Sequence, residues 1–300
     1  QQDADRLAER AGKLVAAAGA LAAQLIFDPD EAARLWRIRA DGAGLASVGL
    51  ARPAHSGWED AAVPPAVLGA YLRDFDRLLA AHDLHGLPYG HFGEGCVHVR
   101  IDFNLAGATG VTGYRAFVEE AAELAAGYGG SCSGEHGDGR ARSELLPKMY
   151  STEALALFAA VKQIFDPDNL LNPGVLVDPA PLDAALRAPA VRTSPLWTAD
   201  RAFVEDVHRC TGVGKCVASS RAGDVMCPSF QATREEKDST RGRARVLQEM
   251  INGTLVTDGW RAKEVHEALD LCLSCKGCSR DCPTGTDMAA YKARVLYEAF

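Results

Sequence analysis

Residues 272–283 read Cys272-Leu-Ser-Cys275-Lys-Gly-Cys278-Ser-Arg-Asp-Cys282-Pro283. The spacing C-x2-C-x2-C-x3-C-P lets three thiolates close on one cubane iron–sulfur cluster and turns the cysteine before the proline toward a different cluster. Zinc knuckles instead draw two close ligand pairs from distant parts of a chain. One-electron chemistry is therefore expected at this end of the molecule. Of the nine cysteines, Cys96 and Cys132 stand apart, while Cys210, Cys216, Cys227 and the four of the run crowd into the last third. Such crowding marks a local site rather than a disulfide framework. Thiolate-held iron fits a reducing, cytoplasmic setting, including a peripheral position at the inner face of a membrane.

Working outward, the 300 residues leave room for two domains, and the net charge of −8 without a basic tract argues against nucleic acid as a partner. The chain starts at Gln1 inside a helical pattern, Arg6 to Leu25, and stops at Phe300 inside another that begins at Met288. A piece of a longer polypeptide is the expectation. Prolines are dense between residues 178 and 200, which reads as a linker. The expected organisation is an α+β cap over residues 1–178, a linker over 179–200, and a small all-α cysteine domain over 201–300.

In the first part, Cys96 to Asn104 alternates: Val97, Val99, Ile101 and Phe103 face one way, and His98, Arg100, Asp102 and Asn104 the other. The polar row reads either as a solvated sheet face or as part of a site. Ala116 to Gly127 reads as a helix, and Ser151 caps another running to Phe165, with Leu155, Leu157, Phe158, Val161 and Ile164 as its apolar stripe. Two glycine-rich loops carry the chemistry. Gly90-His91-Phe-Gly-Glu-Gly-Cys-Val-His98 brings two imidazoles round a tight turn, and Ser133-Gly-Glu135-His136-Gly-Asp-Gly139 adds a carboxylate and a third imidazole. If the loops meet, the donor set suits zinc, manganese or iron.

These two loops, followed by Phe165-Asp-Pro-Asp-Asn-Leu-Leu-Asn172-Pro-Gly174, resemble the C-terminal domain of FAD-linked oxidases in the vanillyl-alcohol-oxidase superfamily. The likeness covers roughly residues 20–178 and is to the branch of D-lactate, glycolate and D-2-hydroxyglutarate dehydrogenases. It implies a ferredoxin-like cap with an antiparallel sheet, and a divalent metal on His91, His98 and Glu135 that holds a 2-hydroxy acid. It also implies His136 as the base, Arg39 of Trp36-Arg-Ile-Arg39 (or Arg37) as a carboxylate binder, and Asn172 near the flavin. Asn172 reads equally as a turn-former. Some members place a basic residue just before the Asp-x-x-x-Pro segment, where this chain has Trp58 and Glu59 ahead of Asp60. No dinucleotide fingerprint appears, so most FAD contacts are expected outside these residues, and the 300-residue piece alone is expected to lack dehydrogenase activity.

Cys210-Thr-Gly-Val213-Gly-Lys-Cys216 and Cys227-Pro228 line up with the second cysteine group, with Val213 in the place of the middle cysteine. With Met226-Cys-Pro-Ser-Phe and Ser239-Thr-Arg-Gly-Arg-Ala244, this region resembles the 4Fe-4S dicluster domain fused to some FAD-linked oxidases. By the crossing rule one cluster takes Cys272, Cys275 and Cys278 with Cys227, and the other takes Cys210 and Cys216 with Cys282. The second site is one thiolate short. A three-iron cluster, a non-cysteine ligand such as Asp224, and no cluster at all are the open choices. Arg241, Arg243 and Arg245 either offset cluster charge or form a solvated helix face.

The implied function is dehydrogenation of a 2-hydroxy acid, with hydride passing to FAD and electrons through the clusters to a quinone, cytochrome or redox protein. The rivals are an electron-transfer module with a vestigial oxidase domain, and a zinc-stabilised interaction protein.

Overall fold

The computed structural model describes residues 2–52, 54–105, 108–184, 186, 195–218 and 226–300. It divides into two units, Gln1–Gly42 and Ala43–Phe300. The first unit carries α1 (Gln2–Ala17) and α2 (Pro29–Ala40). The helical pattern expected to reach Leu25 stops at Ala17, because Gly19 takes a left-handed turn (φ 59°) that leaves the helix. Asp28 accepts from the Glu31 amide and caps α2, and Pro29 starts it.

The second unit opens with α3 (Gly42–Val48) at its boundary and continues through β1 (His55–Ala62), α4 (Leu68–Ala81), β2 (Gly86–His91), β3 (Cys96–Ile101) and α5 (Ala108–Gly127). The three strands form an antiparallel sheet in the order β1-β3-β2. After α5, Ser131 makes a single antiparallel bridge to Ala62 on the outer side of β1, where a fourth strand would lie. Sequence and structure agree on an α+β cap region.

One sheet face builds the first core. Trp58, Val97, Val99 and Ile101 pack against Tyr71 and Phe75 of α4 and Phe117, Val118 and Ala121 of α5. Burial of each large side chain here contributes about 1.5–3 kcal/mol. The other face is not solvated. β3 is buried along its whole length, with His98, Arg100 and Asp102 all inaccessible. Two of those groups have charged partners: Arg100 is ion-paired with Glu59 (Nε to Oε1 2.8 Å) although neither of these atoms makes a hydrogen bond, and Asp102 accepts from Arg52 Nε and the His85 amide. Alternation fixed which way each side chain points, but not what covers it.

α6 (Gly139–Arg142) and α7 (Thr152–Phe165) follow, α7 capped by Ser151 as expected. Its apolar stripe faces solvent: Ile164 is 74% and Phe165 81% exposed. Within the stretch expected as a linker, Leu182 is buried in the first core and Asp183 pairs with Arg115. Residues 185 and 187–194 of that stretch lie outside the described residues.

The last third has no strand among its described residues. It comprises α8 (Pro195–Ala199), α9 (Arg201–His208), α10 (Pro228–Thr233), α11 (Thr240–Asn252), α12 (Lys263–Asp270), α13 (Gly277–Asp281) and α14 (Met288–Ala299). A second core joins Phe203, Val204, Leu247, Ile251, Val265 and Val295 to the cysteine loops. The two core regions touch. A Cβ on Gly44 of α3 would lie 2.4 Å from Pro283 Cβ, so only glycine allows this approach. His55 of β1 also faces His208 of α9 closely enough that each charge would repel the other. Burial first, then that repulsion, pulls His55 down to about 4.

Candidate functional site

The glycine-rich loops do meet. His91 ends β2 and His98 sits mid-β3, while Glu135 and His136 arrive on the loop after α5. The Nε2 atoms of His91, His98 and His136 stand 3.6, 3.3 and 3.7 Å from one atom, Glu135 Oε1. The His98 and His136 rings stack at 5.2 Å. Donors sharing one ion at about 2.1 Å lie about 3.0–3.4 Å apart, and the donor atoms of His98, Glu135 and His136 lie within 4.8 Å of one another, close enough to be drawn onto one ion. Burial, then the neighbouring His136, holds His98 below its ordinary value, which favours the neutral imidazole a metal needs.

The residue that shapes the cage is Asp60, which sequence reasoning passed over as a site residue. It is 0% exposed and lies at a register shift in β1, between Glu59 and Ala61, with φ 79°. Such a bulge re-aims a side chain. Here it turns the carboxylate under the 133–136 loop, where it accepts from the Glu135 and His136 amides, Ser133 Oγ and Cys96 Sγ. Burial would raise the Asp60 carboxyl, but the His136 and Glu135 amides and Ser133 outweigh it and keep it ionised. Although Asp60 groups by distance with His98, Glu135 and His136, its oxygens are already taken. His91 lies 3.6 Å from Glu135 Oε1 but outside that compact group. Gly134 is required on this loop, because a Cβ there would meet Ala62 Cβ at 2.8 Å.

Arg39 lies on α2 in the first unit. Asn172 lies exposed in the turn after α7, and both Asn169 and Asn172 adopt left-handed backbone (φ 50° and 47°), as turn-formers do. Cys96 and Cys132 are buried thiols, Cys96 pushed up to about 12 by burial and Asp60.

The remaining cysteines line two small open cavities. The larger takes Cys227, Cys272, Cys275 and Cys278, and the smaller Cys210, Cys216 and Cys282, in the crossed arrangement expected from spacing. Backbone angles explain the likeness of the two loops. Ser274 and Lys276 take φ 52° and 59° on one, and Gly212 and Gly214 take φ 80° and 85° at the matching places on the other. Val213 therefore stands where Cys275 stands, and among its described lining residues the smaller cavity has three thiols. Asp224 lies outside the described residues. Burial would raise the Cys282 thiol, but hydrogen bonding with Thr284 and Thr286 outweighs it and lowers it, favouring thiolate.

Tetrahedral zinc would draw sulfurs to about 3.8 Å of one another. No three cysteine sulfurs among the described residues come within 4.8 Å of one another, a looser spacing than that.

Residues 1–176 match the family described as FAD linked oxidases, C-terminal domain. The chain belongs to that family. In this FAD-linked oxidase chain, residues 206–286 match a 4Fe-4S dicluster domain, which covers both cysteine cavities. The chain is 31% identical to the D-2-hydroxyglutarate dehydrogenase of Escherichia coli (strain K12), over 97% of this chain and 32% of the relative. It is 33% identical to the D-2-hydroxyglutarate dehydrogenase of Pseudomonas putida over 79% of this chain and 27% of the relative. It is likewise 33% identical to the glycolate oxidase subunit GlcD of Escherichia coli (strain K12), over 58% and 34%. The chain thus spans about a third of the length of these curated relatives. No helix among its described residues is long and apolar enough to cross a membrane.

Proposed function

We propose that this chain supplies the substrate cap and the electron outlet of a flavin-dependent 2-hydroxy-acid dehydrogenase. The carrying observation is the convergence of three imidazole nitrogens on Glu135 Oε1. Histidines kept only for packing have no reason to aim their nitrogens at one carboxylate oxygen, which favours this reading over a vestigial oxidase domain.

His91, His98 and Glu135 hold the divalent ion in this reading, which supplies Lewis acidity to the substrate hydroxyl and carboxylate. His136, half-exposed beside them, takes the hydroxyl proton. The Asp60 carboxylate fixes the backbone of both Glu135 and His136, so ligand and base move as one piece. Arg39 binds the substrate carboxylate. A bound flavin would supply the hydride acceptor, with Asn172 as this chain's candidate contact to it. Cys272, Cys275, Cys278 and Cys227 would hold a 4Fe-4S cluster, and Cys210, Cys216 and Cys282 would hold a second cluster of three or four irons. Electrons leave singly toward a quinone, cytochrome or redox protein. The fold reading extends likewise to a ferredoxin-like cap over residues 1–178 and a dicluster domain over 201–300.

Elemental analysis of the anaerobically reconstituted chain tests this. The expected result is about four irons for the four-thiol pocket, three or four more for the other, and one manganese or zinc that a His91→Ala change removes. Iron without any second metal, under excess manganese and zinc, would sink the dehydrogenase reading and leave the electron-transfer module.

A further inference from the structure

Three arginines, Arg241, Arg243 and Arg245, alternate along α11, yet their surroundings differ sharply. Arg241 pairs with Glu236, and Arg245 with Glu249, both with their side chains more than a third exposed. Arg243 is 1% exposed. Its Nε donates to the Ala268 carbonyl at 2.8 Å, and its Nη1 lies 3.5 Å from Cys227 Sγ. Its Nη2 is buried without a hydrogen-bond partner among the described residues, and Asp238 Oδ1 stands off at 4.0 Å, also unpartnered. The guanidinium lines the four-thiol cavity. A buried, unanswered guanidinium N–H costs about 1–3 kcal/mol or more, so such a group calls for an acceptor.

We propose that Arg243 sets the reduction potential of the cluster in the four-thiol pocket, by donating to the Cys227 thiolate and to a cluster sulfur. The inference rests on the reading of that pocket as a 4Fe-4S site. The step is the gain of one electron by the cluster, with no bond made or broken and no proton moved. Four thiolates on an oxidised cubane leave a net negative charge, and the electron adds one more. A desolvated cation and N–H···S bonds at contact stabilise the reduced form more than the oxidised one, and so raise the potential. Arg241 and Arg245 are screened by water and by their own carboxylates, so they contribute far less.

The test is an EPR-monitored redox titration of the reconstituted 300-residue chain, with Cys216→Ser in every sample to silence the smaller pocket. Arg243→Met should make reduction at least tenfold harder, a fall of about 59 mV for one electron. Arg243→Lys should shift the same way by less, because charge stays while the fork is lost. Arg241→Met should shift least. If the methionine variant loses its cluster, the lysine variant decides. A cluster that binds with unchanged iron content and an unmoved midpoint in both Arg243 variants overturns the inference alone. A parent chain that takes up no four-iron cluster overturns the cluster reading and this inference with it.

Discussion

In the imidazole cage the donor atoms of His98, Glu135 and His136 lie within 4.8 Å of one another, whereas among the described residues no three cysteine sulfurs do. The first spacing suits a single ion, and the second is looser. The supports differ too. The cage is held by a buried carboxylate, Asp60, inside a strand, and the cysteine loops by left-handed backbone turns. The two donor sets are thus distinguishable by how far apart their atoms stand.

The largest effect should come from Cys272→Ser. It should abolish the four-thiol cluster, removing about four irons and the absorbance near 400 nm, while leaving manganese or zinc uptake unchanged. Loss of both together would show that the two sites are not independent. Next, His98→Ala should weaken the divalent ion by about 100-fold or more in a calorimetric titration, with iron content untouched. Asp60→Asn probes the support rather than the ligand. It weakens the acceptor for the loop amides, and should cost about 10–100-fold in the same titration. An unchanged affinity would remove Asp60 from the account of the cage.

The smallest effect is in stability and lies between the two regions. Burial, then the charges of His208 and Arg100, hold His55 down to about 4 against the opposing pull of Asp102. The unfolded chain protonates it near 6.5 and the folded chain does not, so stability is highest above pH 6.5, falls toward pH 4, and then levels. The slope is about 1.4 kcal/mol per pH unit, roughly tenfold in the folding equilibrium. Urea midpoints at pH 6.5 and 5.5 should show it in the apo chain, and His55→Gln should flatten the difference. An equal slope in the variant would place the acid sensitivity elsewhere.

What was legible in the sequence was contiguous. The C-x2-C-x2-C run announces its own loop, and the crossed partner follows from Cys282 and Cys227 each preceding a proline. The cage was legible as donor types, because His91 and His98 flank one turn and Glu135 and His136 adjoin. Asp60 was not, since its role depends on a bulge that shifts register by one residue, and nothing in the letters announces it. The polar row of β3 pointed as expected, but its burial depends on loops and on Arg52 and Glu59, far off in sequence. Arg243 looked like its neighbours Arg241 and Arg245, and only the packing of α11 separates them.

The matching turns of the two cysteine loops carry one more consequence. Gly212 and Gly214 take left-handed angles with no Cβ to crowd, so that loop is at rest in its folded shape. Ser274 and Lys276 take the same angles against a steric cost of about 1–2 kcal/mol each. The three-thiol loop therefore holds its turn without steric strain, whereas the four-thiol loop stores strain that the structure around it must hold.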